Sequence, residues 1–147
     1  QTTLSLDDTA DIIKVLRRRF PEIEGPAKDD ICYATQNRQN AVKQISKEVD
    51  LVLVIGAENS SNTLRLVEVA ESLGTPAVRI QSSSELQPDL LEECNKIGIT
   101  AGASAPDEIV QGIVDKLRGW NPGCRVRELK LTEEQVSFGL PPQLKTP

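Results

Sequence analysis

Five consecutive apolar residues, Leu51-Val52-Leu53-Val54-Ile55, constrain this chain more than any other stretch. A run so short and so rich in β-branched side chains predicts a strand buried on both faces, and such strands belong to parallel sheets covered by helices on each side. Gly56 and Ala57 end the run, and Glu58, Asn59, Ser60, Ser61 and Asn62 follow. Leu64, Val67, Ala70 and Leu73 then recur at helical spacing, and Gly74 is placed to close that helix in a left-handed conformation. The stretch is a strand–loop–helix unit whose loop carries short polar side chains.

In open parallel sheets, ligands gather at the carboxyl ends of the strands, where helix amino termini point their free N–H groups. Ser60, Ser61 and Asn62 would add hydroxyl and amide donors there, a good match for an anion such as a phosphate. The same residue types also cap helices, and taken alone that is their commoner use. The glycines and the lysine of a P-loop are absent.

Composition narrows the choice of chemistry. A formal net charge of −5 is the wrong sign for a nucleic-acid surface, which needs clustered Lys and Arg. The one basic cluster, Arg17-Arg18-Arg19, ends a helical pattern, where positive charge suits the helix dipole. No stretch is long and apolar enough to cross a membrane, so a soluble, cytoplasmic setting is expected. The chain has no histidine, which excludes Ser-His-Asp and Cys-His catalysis and every histidine metal site within it. It also has no methionine, and it runs from Gln1-Thr2-Thr3 straight into a helix start at Asp7-Asp8, so a segment of something longer is expected. Cys32, Cys94 and Cys124 are odd in number and widely spaced, which argues against a disulfide framework or a self-contained zinc site.

Thr9 to Phe20 carries Ile12, Ile13, Leu16 and Phe20 on one helical face, with Asp7 or Asp8 as the expected cap and Pro21 as the stop. Gly25-Pro26 and Lys28-Asp29-Asp30 form a linker and an expected domain boundary. A short strand is expected to end at Cys32, with Thr35 or Asn37 leading into a helix through Ala41, Val42, Ile45 and Val49. A cysteine between a strand end and a helix amino terminus is in surroundings that favour the thiolate, although an inert buried cysteine is the ordinary occurrence. Pro76 to Ile80 reads as the next strand, with a short helix through Leu90, Leu91 and Cys94 after it; Cys94 falls on that apolar stripe and is expected to pack. Ile97 to Thr100 reads as a further strand, followed by the small-residue loop Ala101 to Asp107. Pro106 suits the first turn of a helix carrying Ile109, Val110, Ile113, Val114 and Leu117. Gly102 and the alanines would let a ligand approach the backbone, and Ser104 offers a hydroxyl; a tight strand-to-helix turn uses the same residues.

Four strands near 31, 52, 78 and 98, alternating with helices, predict a small parallel α/β sheet with flanking helices and right-handed crossovers. The loops bearing Cys32, Ser60 to Asn62 and Ser104 each follow a strand, so all three belong to one carboxyl edge. That edge would combine one thiol with several hydroxyl and amide donors, an anion site beside a metal ligand. Beyond Leu117, Gly119, Pro122 and Gly123 interrupt the pattern, Cys124 sits in that turn, and Arg125 to Leu131 and Glu134 to Leu140 read as two extended segments ended by Pro141-Pro142.

Taken in order, D-D-I-C-Y-A-T-Q-N-R-Q, A-E-N-S-S-N and T-A-G-A-S-A-P-D resemble the LytB family of hydroxymethylbutenyl diphosphate reductases. The opening Q-T-T-L-S-L-D-D-T and the closing V-S-F-G-L-P are similar too, so the resemblance covers nearly the whole chain. It implies reductive removal of a hydroxyl from an allylic diphosphate, giving isopentenyl and dimethylallyl diphosphate at the end of the non-mevalonate isoprenoid pathway. It implies a fold of three similar α/β domains around a [4Fe–4S] cluster held by three cysteines, and an electron-donor protein such as ferredoxin or flavodoxin. Carried over by motif, Cys32 would be a cluster ligand; Ser60, Ser61, Asn62 and Ser104 would bind the diphosphate; Thr2 would contact substrate near the cluster. Cys94 and Cys124 lie outside the motifs.

The family's other two cluster cysteines, its histidines and its proton-relaying glutamate belong to an amino-terminal half that does not occur in this sequence. The resemblance therefore divides the chain into the end of a second domain (1–29), a third domain (30–118) and a tail packing on a neighbouring domain (119–147). On this reading the chain alone is inactive and holds no cluster, since thiolates must supply most of the protein ligation. The competing expectation is an isolated α/β module that binds phosphate or diphosphate without redox chemistry.

Overall fold

The computed structural model describes residues 5–25 and 33–129. Its centre is strand β1 (Leu51–Ile55), in which all five residues are buried. Strand β2 (Ala77–Ile80) pairs with one edge of β1 in parallel, Val52 opposite Ala77 and Ile55 opposite Ile80. Strand β3 (Ile97–Ala101) pairs with the other, Leu51 opposite Ile97 and Ile55 opposite Ala101. The described sheet therefore runs β2-β1-β3. The strand expected to end at Cys32 lies outside the described residues.

A central parallel strand must be covered on both sides, and two separate cores do this. On one face Val52 and Val54 pack with Val42 of helix α2 (Tyr33–Ile45) and with Leu66, Val69 and Ala70 of helix α3 (Ser61–Ser72). On the other, Leu51, Leu53 and Ile55 pack with Ile80, Leu86 and Ile113, the last from helix α4 (Asp107–Trp120). Each fully buried aliphatic side chain of β1 contributes about 1.5–3 kcal/mol relative to an exposed one. Polar β1 residues would forfeit this on one face or the other, which is why an unbroken apolar run was needed.

Helix α1 (Leu6–Arg19) starts earlier than its apolar pattern implied. Its cap is Ser5, whose Oγ accepts the Asp8 N–H at 2.9 Å, while Asp7 and Asp8 lie in the first turn instead. There they form ion pairs with neighbouring helices, Asp7 with Lys43 at 2.7 Å and Asp8 with Arg65 at 3.5 Å. The Leu6 N–H donates to the Gln39 side chain at 2.9 Å. The stripe of Ile12, Ile13, Leu16 and Phe20 is exposed among the described residues, and no residue of α1 itself is buried.

Other local expectations shift as well. Helix α2 begins at Tyr33, ahead of Thr35 and Asn37. Helix α3 buries Thr63, Leu66, Val69 and Ala70, leaving Leu64 and Leu73 exposed. Gly74 does close α3 with φ of 81°, the left-handed conformation that favours glycine. The helix expected through Leu90 to Cys94 is two 3₁₀ turns, Ser83–Glu85 and Pro88–Leu91, with Cys94 beyond them. Pro106 occupies the cap position of α4, one place before the first turn. Residues 124–129 form no strand; Arg127 instead pairs with Glu48 at 2.7 Å. The second extended segment, Glu134 to Leu140, lies outside the described residues.

Candidate anion-binding site

The parallel register places the carboxyl ends of β1 and β3 side by side. Ile55 stands opposite Ala101, and the Gly102 N–H continues the ladder by donating to the Ile55 carbonyl at 2.8 Å. The loop carrying Ser60, Ser61 and Asn62 thus leaves the sheet next to the loop carrying Ser104, as the strand-end argument required.

Ser60 caps α3. Its Oγ accepts the Thr63 backbone N–H at 3.2 Å and the Thr63 hydroxyl at 2.9 Å. Ser61 is exposed on the first turn, and its N–H and that of Asn62 have no carbonyl four residues back within the helix. Asn62 is half-buried, and its Oδ1 is a buried polar atom without a hydrogen-bond partner. Rotating that amide by half a turn would put its NH2 in the same place, a donor suited to an anion. A buried amide atom left unpaired costs about 1–3 kcal/mol unless a ligand or water answers it. Capping alone would use Ser60 and leave this cost unexplained.

The two helix amino termini at the edge differ in charge. The first turn of α3 holds no acidic residue, whereas α4 begins Asp107-Glu108. Carboxylates at a helix start occupy the favourable potential that an anion would otherwise use. Ser104 is exposed and offers its hydroxyl from the turn closed by the Ala105 N–H donating to the Gly102 carbonyl at 3.1 Å. Of the two helix starts, that of α3 is therefore the one better suited to an anion, and Ser104 lies on the neighbouring loop.

Two further residues at this edge were not singled out from the sequence, although Arg38 lies within the D-D-I-C-Y-A-T-Q-N-R-Q motif. Arg38 of α2 extends to the same edge, where its Nη1 donates to the Ala101 carbonyl at 2.8 Å while its Nε is buried without a partner. A positive residue on the polar side of a helix reads as solvated surface until the sheet end is seen beside it. Thr63 is the other: it is 1% exposed, and Gly56 and Gly102 close around it. A Cβ at Gly102 would stand 2.6 Å from the Thr63 hydroxyl, so this glycine makes room for Thr63 and not for a ligand's approach to the backbone.

Cys32 and Thr2 lie outside the described residues. Cys94 packs against the second core, and burial pushes its thiol above the ordinary value, with the Asp50 and Glu93 carboxylates adding to the effect. That disfavours the thiolate a metal requires. Cys94 and Cys124 both line a groove beside β3 and Trp120 whose walls include none of Ser60, Ser61, Asn62 or Ser104. Among the described residues no group of three or more His, Cys, Asp and Glu side chains could hold a metal ion. No described helix is long and apolar enough to cross a membrane.

Comparison with known proteins agrees with the motifs. The chain is 57% identical over 142 residues to the 4-hydroxy-3-methylbut-2-enyl diphosphate reductase of Acidithiobacillus ferrooxidans, a match covering 96% of this chain and 44% of that protein. It is 52% identical over 145 residues to the Pseudomonas putida reductase of the same name, covering 99% of this chain and 46% of the relative. The chain thus spans less than half the length of these curated relatives. Among solved structures, the E-1-hydroxy-2-methyl-but-2-enyl-4-diphosphate reductase from Plasmodium falciparum superposes with a TM-score of 0.78 at 41% identity, over 84% of this chain and 38% of that one. A second, an (E)-4-hydroxy-3-methyl-but-2-enyl diphosphate reductase described as the terminal enzyme of the non-mevalonate pathway, gives 0.59 at 32% identity over 81% of this chain and 42% of the other. Since the model of the LytB protein family also matches residues 1–118, the chain belongs to that family.

Proposed function

We propose that this chain is the carboxy-terminal part of an iron–sulfur reductase that reductively dehydroxylates 4-hydroxy-3-methylbut-2-enyl diphosphate to isopentenyl and dimethylallyl diphosphate. Its own share of that work is to hold and orient the diphosphate. The observation that carries this reading is the adjacency of the Ser60–Asn62 and Ser104 loops at the ends of the paired strands β1 and β3. Neutral hydroxyl and amide donors at a helix amino terminus satisfy phosphate oxygens without demanding a buried cation. Thr2 would reach the organic part of the substrate, and an electron-transfer protein such as ferredoxin or flavodoxin would serve the complete enzyme.

The described residues do not fit an iron–sulfur cluster, because they contain no group of three metal-ligating side chains. Cys32 is this chain's one proposed ligand, and the others must come from the rest of the protein. Residues 1–29 would complete a second domain, 30–118 form the third, and 119–147 pack on a neighbour.

Pyrophosphate titration into the chain, followed by calorimetry or phosphorus NMR, tests the site. Ser60→Ala combined with Asn62→Ala should weaken binding roughly ten-fold or more. Equal affinity in wild type and double mutant would remove the anion from this loop. Joined to an amino-terminal half and reconstituted without oxygen, the protein should lose its iron on Cys32→Ser and keep it on Cys94→Ser or Cys124→Ser. If even the wild-type joined protein binds pyrophosphate but holds no iron, the chain is a diphosphate-binding module and not part of a reductase.

A further inference from the structure

We infer that Thr63 is a positioning residue that commits the Ser60 hydroxyl to donate into the anion site. This deepens the diphosphate reading and rests on it. A serine hydroxyl has one proton and two lone pairs. At Ser60 both lone pairs are engaged by Thr63, one by its backbone N–H at 3.2 Å and one by its hydroxyl at 2.9 Å. The Ser60 proton is then the remaining hydrogen-bonding capacity, and it is directed away from Thr63. An ordinary cap uses a single acceptance from the backbone and leaves the hydroxyl free to turn and accept from water. With both acceptor positions filled, Ser60 is selective for ligands that accept, as phosphate oxygens do.

The surroundings of Thr63 keep that arrangement in place. Thr63 is 1% exposed, and its hydroxyl sits in the gap left by two glycines, with the Gly102 Cβ position 2.6 Å away and the Gly56 position closer still. A β-branched side chain in a helix has few rotamers, and here packing on both sides removes the alternatives. Because Gly56 ends β1 and Gly102 follows β3, Thr63 also joins the two loops that supply Ser60 and Ser104.

The test uses pyrophosphate and the whole chain. Thr63→Val keeps the branched shape and removes the hydroxyl; Thr63→Ser keeps the hydroxyl and removes the methyl. Affinity should follow the hydroxyl, falling about three- to ten-fold in Thr63→Val and staying within about two-fold of wild type in Thr63→Ser. In a Ser60→Ala background, Thr63→Val should change affinity by less than about two-fold, because its effect passes through Ser60. Thr63→Ala gives the same comparison should Thr63→Val fail to fold. If Ser60→Ala weakens binding while Thr63→Val and Thr63→Ala bind as wild type, Thr63 has no positioning role although the site stands. Equal losses from Thr63→Val with and without Ser60 would also overturn it. If wild type does not bind pyrophosphate, or Ser60→Ala binds as tightly as wild type, the site itself is wrong and the inference falls with it.

Discussion

Arg38 donates from Nη1 to the carbonyl oxygen of Ala101 at 2.8 Å, joining α2 to the end of β3 just before the Ser104 loop. The same guanidinium leaves its Nε buried and unpaired. A hydrogen bond from a charged donor contributes about 1.5–3 kcal/mol, and a buried unpaired donor costs about 1–3 kcal/mol, so the two nearly offset. Arg38→Met, which keeps the packing of the stem, should accordingly change folding stability by less than about 1 kcal/mol. It should still weaken pyrophosphate binding several-fold, since a positive charge is lost within about a Debye length of the anion. Urea denaturation beside calorimetry separates the two effects, and unchanged affinity would exclude Arg38 from the site's electrostatics.

Asp50 gives a pH signature at the opposite end of the sheet. Its Oδ2 accepts the backbone N–H groups of Lys96 and Asn95, each at 2.8 Å. Those bonds, Lys96 first, hold the carboxyl below the ordinary aspartate value of 3.8. A carboxyl whose pKa is lower folded than unfolded stabilises the fold fully above its unfolded value and progressively less as pH falls through the folded one. Asp50→Ala should therefore lower the urea midpoint at about pH 7, with the gap to wild type narrowing below about pH 4. A gap of constant size across that window would show that the two bonds do not depend on the charge.

Gly56 is required for space and not for backbone conformation. Its φ is not positive, unlike that of Gly74, but an added Cβ would stand 2.9 Å from the Thr63 Cγ2. Overpacking of this kind costs about 1–3 kcal/mol. Gly56→Ala should show a loss of that size in chemical denaturation, and adding Thr63→Ala should recover part of it by removing the opposing atoms. Strict additivity of the two changes would mean that the methyl meets something other than Thr63.

The adjacency of the candidate site's two loops was legible in the sequence. Ser60, Ser61, Asn62 and Ser104 follow strands in the chain, and in a parallel sheet every such loop must emerge at the same edge. Arg38 and Thr63 lie in or beside the quoted motifs, but what they touch was not legible. Arg38 acts through the carbonyl of Ala101, 63 positions away, and Thr63 through the missing side chains of Gly56 and Gly102. Contacts between distant segments leave no periodic trace.

By itself, the sequence determined that β1 lies at the centre of a parallel sheet, because five apolar residues can be satisfied only by cover on both faces. It determined the left-handed end of α3 through Gly74, a local property of one residue. The tertiary structure decided which face of α3 turns inward. Helical spacing is consistent with several neighbouring stripes, and packing against β1 and α2 selected Thr63, Leu66 and Val69 while turning Leu64 and Leu73 outward. It also decided where α1 begins. Ser5, Asp7 and Asp8 are all competent caps, and the choice went to Ser5 once Gln39 took the Leu6 N–H and the two aspartates found Lys43 and Arg65 on other helices.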